Sequence, residues 1–92
     1  MIGLTPYITA AVAVRHGVLR VRFADGLTGE VAVLHRMRGP VFEDARTPGG
    51  FAAVTVDEET GTVTWPGGAD LAPDTLYERV RTGEWPEQDL AA

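Results

Sequence analysis

Residues 62–77 read TVTWPGGADLAPDTLY. Thr62, Val63, Thr64 and Trp65 alternate polar with apolar, which places Val63 and Trp65 on one face of a strand. Pro66 has no backbone donor and Gly67-Gly68 accept positive φ, so the ladder is expected to end there and the chain to turn. Pro73 suits the first position of a helix, where its missing N–H costs nothing. Ala72 is then the N-cap, and Leu71 and Leu76 form a hydrophobic staple around the helix start, just before Tyr77. Asp74 falls in the first turn, Arg79 and Arg81 in the last, and Gly83 just past the end, an order that complements the helix dipole and supplies a C-terminal cap. The spacing predicts a helix over about 73–82.

Upstream of this stretch, parity fixes a hairpin. Val54 and Val56 lead into Glu58-Glu59-Thr60-Gly61, and a four-residue loop sets Val56 opposite Val63 and Val54 opposite Trp65. Further back, Gly39-Pro40 opens VFEDAR (41–46), a short helix with Val41, Phe42 and Ala45 turned inward; Thr47-Pro48 stops it, and Gly49-Gly50 reads as a flexible link to Phe51.

Three strands precede these elements: 8–15, 19–23 and 27–34. Pairing Val14 with Leu19 leaves His16-Gly17 as a two-residue turn. The loop Ala24-Asp25-Gly26, with Gly26 left-handed as in a bulge, sets Arg20 opposite Glu30, a surface pair worth about 0.2–1 kcal/mol. In that register Ala10, Val12 and Val14 point inward and Ala11 and Ala13 outward. A first strand apolar on both faces calls for cover from a helix or the C-terminal segment, or for pairing with a second copy in a homodimer. The fold expected is α+β: a three-stranded antiparallel meander, a short helix, a β-hairpin and a C-terminal helix. It forms a single domain over 1–83 with an acidic tail over 84–92.

WPGGADLAPDTLY, with FADG, GPVFEDAR and FAAVTVDEETGTVTW, resembles the small bacterial family catalogued as domain of unknown function 2442, over about Thr9 to Val80. Gly67 stands where that family usually has asparagine, and Gly49-Gly50 where it has an acidic residue in a short helical turn. Longer relatives carry a C-terminal helix-turn-helix, for which this chain is too short. The resemblance implies a compact α+β domain without established catalytic residues. It also implies a gene often placed beside another small family, domain of unknown function 4160, as a proposed toxin-antitoxin pair.

Composition narrows the function classes. Among 92 residues there is no Ser, Cys, Lys or Asn, and all eight basic residues are Arg. Serine, cysteine and Schiff-base lysine nucleophiles are thereby excluded, as is a P-loop. A net charge of −5 argues against a general nucleic-acid binder. No apolar run approaches the ~18 residues of a membrane span, and no signal peptide is evident at Met1, so a cytoplasmic protein is expected. Without cysteine there is no thiol chemistry, and the two widely separated histidines call for no metal or other cofactor.

The best surface for a protein partner is Arg20 and Arg22 on the exposed sheet face together with Arg36 and Arg38, since arginine forks suit carboxylates. Trp85, two residues past the helix cap, either docks on its own chain or anchors in a partner, and self-docking is expected. Trp65, Pro66, Gly67, Asp70, Leu71, Pro73, Leu76 and Tyr77 read as structural, with Asp70 and Asp74 explained by capping and the dipole. His16 and His35 read as exposed side chains, and Asp57-Glu58-Glu59 as a solvated turn. The expected function is a small non-catalytic interaction module, in its most concrete form the antitoxin or accessory partner of a toxin-like protein. The alternatives are a transcriptional or nucleic-acid accessory and an enzyme using Asp70 or a histidine as base.

Overall fold

In the β2–β3 hairpin, parity and turn chemistry settle the geometry. β2 (Val18–Phe23) and β3 (Thr28–Ala32) pair antiparallel with Leu19 opposite Val31, Arg20 opposite Glu30 and Val21 opposite Gly29. The Phe23 N–H donates to the Leu27 carbonyl and the Gly26 N–H to the Phe23 carbonyl, closing the three-residue loop with Gly26 at φ +96°. The computed structural model describes residues 6–85. β3 ends at Ala32, two residues short of the expected end, because Val33 caps a 3₁₀ turn that begins at Leu34 and runs to Arg36.

β1 (Ile8–Arg15) completes the first sheet in the order β1-β2-β3, and its faces are the reverse of those expected over its middle. Ala11 pairs with Val21 and Ala13 with Leu19, so these alanines face the core. Ala10 and Val12, the latter 50% exposed, face out. The reason is two register shifts, between Ile8 and Ala10 and between Ala13 and Arg15, each leaving one unpaired residue, Thr9 and Val14. A bulge residue inverts the alternation beyond it. Two of them put Ile8 in the core, invert Ala10–Ala13, and restore Arg15 opposite Val18 with His16-Gly17 as the turn.

The second sheet is β4 (Thr55–Asp57), β5 (Thr62–Thr64) and β6 (Asp70–Leu71), in that order. Val56 lies opposite Val63 across the four-residue loop, and the pairing stops at Thr55 and Thr64, one residue short of Val54 and Trp65. The ladder does not end at Pro66. The Trp65 N–H donates to the Ala69 carbonyl and the Gly68 N–H to the Trp65 carbonyl. Pro66-Gly67-Gly68 is thus a three-residue hairpin loop of the same bonding pattern as Ala24-Asp25-Gly26, returning Asp70 and Leu71 to β5.

Between the sheets VFEDAR forms only a 3₁₀ turn, Pro40–Phe42, followed by further turns. Phe42 and Ala45 are buried as expected, whereas Val41 stays 49% exposed because the tighter turn sends it outward. The regular turn of helix is α1 (Pro48–Phe51), built from the supposed link. The Thr47 hydroxyl accepts the Gly50 N–H at 3.0 Å and donates to the Asp44 carbonyl at 2.7 Å, capping α1. Gly50 is required there, since a Cβ would sit 1.9 Å from the Asp44 carbonyl oxygen.

α2 (Pro73–Thr82) matches the predicted bounds and ends on Gly83 at φ +84°. Its N-cap Ala72 makes no side-chain cap bond, and Asp70 lies in β6 rather than capping; Asp74 accepts the Thr75 N–H. α2 packs on the inner face of the first sheet, where Val80 fills the space above Gly29. A Cβ on Gly29 would lie 2.7 Å from a Val80 methyl, so the missing side chain sets how closely the helix approaches. The core between the sheets and α2 holds Leu19, Val21, Phe23, Phe51, Val63 and Leu76 among others, each large side chain contributing about 1.5–3 kcal/mol. Trp65 closes it, its indole N–H donating to the Phe51 carbonyl at 3.0 Å.

Candidate functional site

The outer face of the first sheet is exposed at Ala10, Val12, Arg20, Arg22, Thr28 and Glu30. Arg20 and Glu30, opposite each other in the ladder, form an ion pair of 2.8 Å, both side chains well exposed. Arg22 projects from the same face one pleat along, and its guanidinium has no partner among the described residues. Small side chains on the flanking strands leave a shallow hollow of about 290 Å³ between the arginine stems, lined by Ala10–Val12, Arg20–Arg22 and Thr28. The hollow is predominantly apolar, with cationic walls.

Arg36 and Arg38, expected to extend this surface, lie elsewhere. Arg36 sits on the turn after β3, with its Cζ 4.6 Å from the centre of the Trp85 ring; the Arg79 Cζ, from α2, is 5.8 Å from the same centre. The His35 ring meets the indole edge-on, 5.2 Å between centroids. Arg38 Nε donates to the His35 carbonyl at 3.1 Å. Trp85 is therefore placed against its own chain, half-buried on the core and ringed by cations, on the helix side of the first sheet. His35 is held below the usual histidine pKa, first by burial and then by the charges of Arg36, Arg38 and Arg79. The five residues grouped from sequence thus divide into a sheet-face pair, Arg20 and Arg22, and a tryptophan clasp that includes Arg36.

The remaining titratable candidates stand on separate elements. Asp70, on β6, borders a hollow of about 220 Å³ with Arg36, Phe42, Thr75 and Leu76. The His16 Nε2–H donates to the Arg46 carbonyl at 2.6 Å, and its ring meets Phe51 edge-on. His16 therefore pins the β1–β2 turn to the segment before α1, a contact between residues 30 apart that no local pattern in the sequence signals. Another contact missed from sequence joins Tyr77 to Asp25. Among the described residues no group of three or more His, Asp or Glu side chains is placed to hold a metal ion. Pro66, Gly67, Leu71, Pro73 and Leu76 serve the β5–β6 turn and the start of α2.

Comparison with known proteins gives one assignment. The model of a family described as a protein of unknown function, DUF2442, matches residues 9–82. No curated protein and no solved structure matches the chain.

Proposed function

The chain belongs to the DUF2442 family of unknown function, and we propose that it is a small non-catalytic protein-interaction module whose working surface is the outer face of the first sheet. Arg22 carries this proposal. It is an exposed guanidinium without a partner among the described residues, beside a hollow floored by small apolar side chains, on a chain whose net charge is −5. A local cationic, apolar face on an acidic protein favours a carboxylate-bearing protein surface over phosphate backbone. The absence of Ser, Cys and Lys from the sequence removes the common nucleophiles and supports a binding role. The concrete form we propose is the antitoxin or accessory partner of a small toxin-like protein encoded beside it, acting in the bacterial cytoplasm. Among the described residues no helix is long and apolar enough to cross a membrane.

The test is affinity capture from the native host with the tagged chain and its Arg22→Glu variant in parallel, followed by mass spectrometry. A stoichiometric small protein held by the first and lost by the second is the expected result. Recovery of the chain alone in both arms would retire the interaction module.

A further inference from the structure

We propose that the occupant of the outer sheet face is an acidic amphipathic α-helix of the partner protein, lying along the strands with apolar side chains in the hollow and a carboxylate on Arg22. This rests on the interaction module proposed above and specifies its partner.

Three strands at about 4.8 Å spacing present a face about 14 Å wide, close to the ~10–12 Å diameter of one helix with its side chains. The six residues of β2 run about 20 Å, the length of a helix of roughly three to four turns. The inner face already receives α2 in this manner, with Val80 over Gly29. On the outer face Ala10 and Thr28 keep the flanks low and Val12 gives the hollow an exposed apolar floor, so a row of large aliphatic side chains finds room there.

Charge selects among occupants. The Arg20 guanidinium already has Glu30 at 2.8 Å, whereas Arg22 has surplus positive charge to offer. A second copy bound face to face would carry the same Arg22 and, among the described residues, supply no matching surplus carboxylate from this face. An acidic flank on a partner helix supplies it, with the bidentate geometry a guanidinium favours.

The experiment uses the ¹⁵N-labelled full chain and a synthetic peptide of about fourteen residues with leucines at i, i+3, i+4 and i+7 and glutamates on both flanks. The expected result is saturable amide shifts centred on Ala10–Val12, Arg20–Arg22 and Thr28. Binding should weaken on the order of tenfold in Arg22→Glu and vanish when the peptide glutamates are replaced by arginine. Circular dichroism of Arg22→Glu, an exposed site, checks that the fold persists. Absence of shifts on this face, or shifts confined to the Trp85 clasp, overturns the proposal. So does a concentration-dependent homodimer abolished by Val12→Glu, which would assign the face to a second copy. If a native partner is captured but its contacts map away from this face, the acidic helix and the outer face as working surface are both lost, while a protein-interaction role stands.

Discussion

The Tyr77 hydroxyl donates a hydrogen bond of 2.5 Å to Oδ2 of Asp25, tying α2 to the β2–β3 turn across 52 residues. Oδ1 of the same carboxylate accepts the Leu27 N–H, and the Tyr77 ring meets Phe23 edge-on at 4.9 Å. One aspartate thus shapes its own turn and holds the helix that covers the sheet. Its carboxyl is held below the ordinary value of 3.8, first by the Tyr77 hydroxyl and then by the Leu27 N–H, and the phenol is raised above 10.0 by the same bond.

The pH dependence follows from these two directions. A carboxyl lowered in the folded chain adds stability that is present above 3.8 and lost as pH falls through its folded value. A phenol raised in the folded chain adds stability that is present below 10.0 and lost as pH rises through its folded value. Tyr77→Phe should therefore lower the melting temperature at neutral pH and reduce the difference from the parent at both extremes. Equal melting-temperature deficits at pH 3 and pH 7 would show that the bond is not what the substitution removes.

Gly49 and Gly50, adjacent and both helical, should respond to alanine in opposite directions. Nothing lies within 4 Å of a Cβ placed on Gly49, so Gly49→Ala should stabilise by about 0.4–1 kcal/mol through the unfolded chain. A Cβ on Gly50 meets the Asp44 carbonyl, which the Thr47 cap also uses, so Gly50→Ala should destabilise by about 1–3 kcal/mol. Urea midpoints of the two variants check this; a shift of the same sign in both would contradict the capped helical turn.

The α2 helix was legible because its punctuation is local: proline at the start, arginines in the last turn, glycine at the end. The Arg20–Glu30 pair followed from counting across one loop. What escaped depends on individual hydrogen bonds that neither hydropathy nor parity reports. Gly49-Gly50 reads as a link until the Thr47 hydroxyl is seen spanning Asp44 and Gly50. β6 is two residues long, too short for an alternation, and exists because Trp65 and Ala69 close a loop. The candidate surface was half legible: Arg20 and Arg22 lie on the expected face, whereas the stacking of Arg36 on Trp85 depends on how the turn after β3 meets the end of α2.

The clasp around Trp85 should respond to acid through His35. Its pKa lies below 6.5 in the folded chain, so the unfolded chain binds the proton more readily in that interval. The stabilisation is full above 6.5 and is lost as pH falls through the folded value, when an imidazolium joins the guanidinium groups of Arg36 and Arg79 around the indole. Subtracting the fluorescence of a Trp85→Phe variant isolates Trp85 from Trp65. Its emission should shift to the red as pH falls from 7 towards the acid unfolding of the chain, with a midpoint below 6.5, and His35→Gln should flatten the response. A difference signal unchanged over that range would remove His35 from control of the clasp.

Val14 is a residue whose removal should leave the register of β1 intact. It is unpaired between Ala13 and Arg15, so its deletion converts the end of the β1–β2 hairpin into a regular ladder with Ala13 still opposite Leu19. The half-buried side chain and the extra twist are lost, and a modest fall in stability of about 1 kcal/mol is expected. Deleting Arg20 is the contrasting case. It makes Leu19 and Val21, both fully buried, adjacent in the strand, so one of them must leave the core, at a cost of about 1.5–3 kcal/mol before any repacking. Urea unfolding ranks the two deletions, and cross-strand nuclear Overhauser effects between Ala13 and Leu19 report the register. Equal damage from both, or loss of the Ala13–Leu19 contact when Val14 is deleted, would mean that the bulge sets the register rather than accommodating a surplus residue.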